Sequence, residues 1–129
     1  IIVTKIKKEG NTLFELIPYV KESGRCPMKD FLNDLKEYGI EIMTKYAAYE
    51  ELLKMHGNHL NEVRKEATKY IGDKLYELRV DDIRVFFFYV IGNKIVLLHG
   101  FIKKTNKTPQ TEIERAKSEM KDYQRRYGL

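Results

Sequence analysis

Two stretches of the chain carry the side chains with the most chemical potential. One holds Arg79 and Arg84; the other runs from His99 through Lys103 and Lys104 to Lys107. A guanidinium stays charged and grips two phosphate oxygens in a fork, whereas an ammonium is a compact charge that can also give up a proton. An imidazole titrates near neutrality and can move a proton in either direction. Phe86, Phe88 and Phe101 are interleaved with these cations. Basic groups beside aromatic faces on one surface suit a single-stranded RNA, whose phosphates meet the charges and whose bases stack. The plainer alternative has Glu77 neutralising one arginine and the phenylalanines packed beneath a helix. Spacing alone leaves both open.

Whether these groups converge depends on three β-rich runs, Leu75–Val80, Ile83–Ile91 and Lys94–Ile102, separated by Asp81-Asp82 and Gly92-Asn93. Two-residue turns at both places set the registers: Val80 faces Ile83, Arg79 faces Arg84, Ile91 faces Lys94, Phe86 faces His99 and Arg84 faces Phe101. Alternation then collects Tyr76, Leu78, Val80, Ile83, Val85, Phe87, Tyr89, Ile91, Val96, Leu98 and Ile102 on one apolar face. The other face collects Glu77, Arg79, Arg84, Phe86, Phe88, Leu97, His99, Phe101 and Lys103. Two arginines directly opposite each other cost a sheet roughly 0.2–1 kcal/mol, a repulsion that a bound anion relieves. A one-residue slip at Asp81-Asp82 would separate them.

The remaining elements supply the cover. Leu13 to Val20 reads as a strand, with Pro18 marking a sheet edge or a bulge. Pro27 opens a helix whose apolar positions Met28, Phe31, Leu32, Leu35 and Tyr38 recur every three or four residues until Gly39. A second helix runs from about Glu41 to His56, stops at Gly57, and completes a helical hairpin suited to the apolar sheet face. Residues 58–73 read mostly as loop. A last helix spans about Pro109 to Tyr127 with Thr108 as its N-cap. The order β-α-α-β-β-β-α describes a single α+β domain over residues 1–129, a largely antiparallel sheet packed against a helical hairpin with a C-terminal helix.

Composition narrows the field. With 129 residues, 43% hydrophobic and 33% charged, the chain reads as an ordinary globular domain. Its net charge is +5, and residues 94–129 hold nine basic side chains against four acidic ones, while the rest is balanced. A localised excess suits a polyanion or an acidic partner. The longest apolar run, Val85 to Ile91, is too short to span a bilayer. The single Cys26 excludes an internal disulfide and a multi-cysteine zinc site, pointing to the cytoplasm. It precedes Pro27 at a helix start, where capping is its expected role. His56 and His59 flank a turn with no third ligand, and no phosphate-binding glycine loop or nucleophile elbow occurs. No metal or cofactor is expected. The chain opens at Ile1 without a Met, as it would after losing a few N-terminal residues.

The stretches Leu75-Tyr76-Glu77-Leu78-Arg79-Val80 and Ile83-Arg84-Val85-Phe86-Phe87-Phe88 strongly resemble the RelE/ParE superfamily of bacterial type II toxins. Ile95 through Thr105, then Lys107-Thr108-Pro109 with Glu112-Ile113 and Ala116, resemble its phage-associated HigB-like branch; Pro27, Phe31-Leu32 and Leu35 match it more loosely. The resemblance is weakest over the N-terminal ten residues and 57–70. It implies an endoribonuclease that enters the ribosomal A site, cleaves translated mRNA there and is restrained by a HigA-like helix-turn-helix antitoxin. Carried over by position, Arg79, Arg84 and Lys103 would be the basic catalytic residues, with Lys104 a further candidate and His99 a weaker one. By the strand registers and the basic run, not by the resemblance, Glu77, Phe86, Phe88, Phe101, Lys104 and Lys107 are expected to line the RNA. Such enzymes use the RNA's own 2′-hydroxyl as nucleophile, so the protein supplies a base, a donor for the leaving 5′-oxygen and positive charge. Lys103 suits the acid role, or the base role once deprotonated. Two other readings stand beside this one: a ParE-like inhibitor of DNA gyrase, and a non-catalytic RNA-binding module.

Overall fold

A computed structural model describes residues 13–129. The N-terminal ten residues, where the resemblance is weakest, lie outside that range. Strand β1 (Glu15–Pro18) is followed by helices α1 (Pro27–Leu35), α2 (Ile40–His56) and the single turn α3 (Leu60–Val63). Then come β2 (Thr68–Gly72), β3 (Leu75–Val80), β4 (Ile83–Val90), β5 (Lys94–Ile102) and helix α4 (Gln110–Tyr127). The five strands form one sheet in the order β1-β5-β4-β3-β2. Among the described strands only β1 runs parallel to its neighbour, β5; the other pairings are antiparallel. Pro18, which has no N–H to give, sits on that edge strand, where the ladder can spare a donor.

Residues 58–73 are more ordered than their sequence suggests. After α3, the Asn61 amide donates to the Thr68 carbonyl at 2.9 Å and accepts from its N–H at 2.8 Å, closing the loop that launches β2. The β2–β3 connection is tight, with Asp73 and Lys74 at φ 51° and 71°. Positive φ at both central residues is the type I′ pattern. The sequence hides this hairpin because glycine or asparagine normally occupies such positions.

The β3–β4 turn keeps the expected register, with Val80 opposite Ile83 and Arg79 opposite Arg84. The β4–β5 turn does not. Val90 pairs with Lys94, so Ile91, Gly92 and Asn93 all belong to the turn, and Ile91 is 96% exposed instead of buried. Downstream, Leu98 and His99 together oppose Phe86, a two-against-one β-bulge that restores Val85 to Gly100 and Arg84 to Phe101. Between turn and bulge the faces of β5 are therefore exchanged. Ile95 and Leu97 point to the helical hairpin, and Val96 and Leu98 to α4.

Helices cover both faces of the sheet. Met28, Phe31, Leu35, Tyr46 and Leu53 from the hairpin pack on Leu78, Val80, Val85 and Phe87. Ala116, Met120 and Tyr123 of α4 pack on Phe86, Phe88, Val96 and Leu98. The face expected to lie open is a second core. Helix α1 comes close because Gly100 has no side chain: a Cβ there would stand 2.5 Å from the Phe31 ring. Two caps also differ from expectation. Cys26 makes no side-chain capping bond, and Pro109 takes the N-cap position of α4, freeing the Thr108 hydroxyl for a partner across the sheet.

Candidate nucleic-acid interface

Four cations from two strands and one loop line one open pocket of about 330 Å³. Lys69 comes from β2, Arg79 from β3, Lys103 from just beyond β5, and Lys107 from the loop before α4; Tyr70, Asn106 and Thr108 complete the polar wall. The backbone sets each position. Arg79 N–H donates to the Ala67 carbonyl at 2.7 Å, and Lys103 N–H to the Asp82 carbonyl at 2.7 Å. The Lys103 ammonium donates to the Asn106 carbonyl at 3.0 Å, and Thr105 bridges to the Lys107 carbonyl at 2.7 Å. These bonds fold the lysine-bearing loop back over the end of the sheet.

A buried acid lies beneath. The Glu77 side chain is 1% exposed, with Oε1 3.6 Å from Arg84 Nε and 3.7 Å from Arg79 Nε. Its Oε2 accepts the Thr108 hydroxyl at 2.7 Å. The arginine pair does converge, but around an internal carboxylate, and the two guanidinium groups differ in access. The Arg79 side chain is 31% exposed, that of Arg84 only 6%. Arg84 Nη1 donates to the carbonyls of Asp81 at 2.5 Å and Ile83 at 2.9 Å, while its Nε has no hydrogen-bond partner. Burial pulls the Arg84 pKa down from its ordinary value; Glu77 opposes that shift and Arg79 adds to it. Arg79 is thus the arginine able to meet a ligand. Arg84 acts from below as fixed charge.

The other expected residues divide sharply. Phe86 and Phe88 are buried under α4, so no base reaches their faces; they form core, which corrects the stacking platform read from alternation. Phe101 is partly exposed and stacks on Phe86 at 5.8 Å. Glu77 is likewise too buried to touch RNA. His99 is 1% exposed, with Nδ1 2.6 Å from Glu119 Oε1 and Nε2 2.9 Å from Glu112 Oε1. The ring thus lies between two carboxylates, one at each nitrogen. Arg115 Nε adds a third contact, 3.2 Å from Glu119 Oε2. This network fastens α4 to the bulge. Lys104 is exposed on the loop and stands apart from the pocket lining.

Lys69 and Tyr70 belong to the site but are missing from the sequence reading. Their signal was the β-prone run Thr68-Lys69-Tyr70-Ile71, too short to outweigh its polar surroundings. Among the described residues no three His, Cys, Asp or Glu side chains cluster as metal ligands; His59 pairs with Glu62 at 2.6 Å. No described helix is long and apolar enough to cross a membrane.

No curated protein matches the sequence. A family model does, that of the phage derived protein Gp49-like family (DUF891), over residues 30–121. The match begins inside α1 and ends inside α4, enclosing every element that lines the basic pocket. The chain therefore belongs to the Gp49-like family, a RelE/ParE-like toxin family of toxin–antitoxin systems.

Proposed function

We propose that the protein is the toxin of a toxin–antitoxin pair of the HigB type, an endoribonuclease that cleaves mRNA on the ribosome in the cytoplasm. One observation carries the reading: Lys69, Arg79, Lys103 and Lys107 surround a single open pocket able to take a phosphodiester. In the reaction the RNA 2′-oxygen forms a bond to the adjacent phosphorus and the bond from phosphorus to the 5′-oxygen breaks. The 2′-hydroxyl proton passes to a base and the departing 5′-oxygen takes up a proton. Arg79 holds the non-bridging oxygens, where negative charge develops, and Arg84 adds a fixed positive potential from beneath. Lys103, which lines the same pocket, gives its proton to the leaving oxygen. A HigA-like antitoxin would silence the toxin by covering this charge or by blocking entry to the ribosomal A site.

The test uses purified protein, programmed ribosomes and a short mRNA. Arg79→Ala with Lys103→Ala changes only groups that line the pocket and should lower cleavage on the order of a hundredfold or more. Undiminished cleavage by a folded double variant removes the site assignment. Inhibition of DNA gyrase supercoiling without any mRNA cleavage replaces the nuclease reading with the ParE-like one.

A further inference from the structure

The basic pocket does not end at its own walls. Ile71 of β2 joins Ile113 at the margin of the α4 core, and Lys117 of α4 reaches Asp73 in the turn after β2, so a seam runs between the helix and the end of the strand. Further along it, Lys117 and Lys121, one helical turn apart, face Lys74 across a second opening of about 470 Å³. From Ile113 to Lys121 the seam follows roughly 12 Å of helix. Asp73 is an acid at this opening, and it is paired with Lys117 at 3.2 Å. Around the β2 edge, on the sheet face that carries the helical hairpin, lies a third hollow of about 270 Å³ walled by Tyr70, Tyr76, Tyr89 and Lys74. Its rings stand 5.0 Å apart from Tyr70 to Tyr76 and 5.1 Å from Tyr76 to Tyr89. Two residues join the three spaces: Tyr70 lines the first and third, Lys74 the second and third.

We propose that this α4–β2 seam guides single-stranded RNA away from the scissile phosphate. Phosphates follow Lys117, Lys121 and Lys74, and one base seats in the tyrosine hollow. The proposal rests on the reading that the basic pocket takes an RNA phosphodiester, and it supplies the stacking surface that buried Phe86 and Phe88 cannot. An acidic peptide would satisfy the lysines but would leave the exposed Tyr70 ring unused. A nucleic acid strand uses both, because every base has a face to stack and every linkage a charge.

Fluorescence anisotropy of the full chain with a labelled 2′-O-methyl oligoribonucleotide, which cannot be cleaved, tests the seam directly. Lys117→Glu with Lys121→Glu should weaken binding roughly tenfold or more and flatten the salt dependence of the affinity. Tyr70→Ala should weaken binding roughly tenfold with the salt dependence unchanged. In the ribosome assay the same charge reversals should raise KM and spare kcat. If the folded seam variants bind like the parent while Arg79→Ala with Lys103→Ala binds weakly, the seam is overturned and the nuclease reading stands. Failure of the parent to bind the oligonucleotide overturns the seam as well, and absence of ribosomal cleavage separately removes the nuclease reading.

Discussion

The Thr108 hydroxyl donates to the buried carboxylate of Glu77 at 2.7 Å, joining residues 31 positions apart. Through this bond the loop bearing Lys103, Lys104 and Lys107 is tied to the acid that sits between the two arginines. One carboxylate thus does two jobs: it offsets the charge beneath the pocket and fixes the loop that forms its wall.

Breaking either half of that relationship should have distinct effects. Glu77→Ala leaves the covered Arg84 without an opposite charge, a loss of about 3 kcal/mol, near the lower end for a broken buried pair because two carbonyls still accept from Arg84. Thr108→Val removes one hydrogen bond and should cost about 1 kcal/mol in urea unfolding. Its clearer mark should be faster amide exchange confined to residues 103–109. Protection unchanged there would show that other contacts hold the loop.

Gly100 should resist even the smallest side chain. A Cβ at this position would lie 2.5 Å from the Phe31 ring, inside a packed layer. Gly100→Ala should therefore lower stability by roughly 1–3 kcal/mol, the usual cost of overpacking. Adding Phe31→Leu should return part of that loss, because the two changes meet at one contact. Strict additivity in the double variant would contradict the close approach of α1 to β5.

The sequence exposes some of this design and conceals the rest for identifiable reasons. Arg79 opposite Arg84 was readable because Asp81 accepts positive φ, here 54°, and lets a two-residue turn close. The α+β order, the helical hairpin and its apolar sheet face followed from period and punctuation. Alternation cannot reveal a bulge, however, so the exchange of faces at Ile95–Leu98 was invisible. Nor does alternation say what covers a face. Phe86 and Phe88 read equally well as an open platform and as the floor beneath α4, and only the docking of Ala116 and Met120 decides between them. Lys69 and Tyr70 were lost because a short edge strand carries little periodic signal.

Stability should fall at both extremes of pH through the contact between Tyr19 and Asp122, whose hydroxyl and carboxylate oxygens lie 2.6 Å apart. Hydrogen bonding by Arg126, and then by Tyr19, holds the Asp122 carboxyl at about 2, below its ordinary 3.8. A depressed carboxyl stabilises the fold fully above pH 3.8, and that contribution disappears as pH falls toward 2. Burial, with Asp122 beside it, raises the Tyr19 phenol from 10.0 to about 12. A raised phenol stabilises below pH 10.0, and its contribution disappears as pH climbs toward 12. Tyr19→Phe should shrink both the acid and the alkaline step in thermal melts taken across pH; an alkaline remnant persists because burial also raises the Tyr46, Tyr89 and Tyr123 phenols.

The sharpest separation of structure from chemistry concerns His99. Removing the imidazole by His99→Leu leaves the Glu119 carboxylate, 6% exposed, with Arg115 as its remaining partner. A buried acceptor stripped of its partner should cost about 2 kcal/mol. His99→Leu combined with Glu119→Leu removes both members of the pair and should recover much of that loss, since apolar replacement of a buried ion pair is often neutral. The double variant then isolates the question of catalysis. A ring sealed beneath α4 cannot reach a phosphodiester in the basic pocket, so the folded double variant should cleave ribosome-bound mRNA within about tenfold of the parent, well short of the hundredfold or greater loss expected when a transition-state donor is removed. A collapse of that size in a variant with parental stability would instead make His99 a proton carrier, and would require α4 to lift from the sheet during turnover.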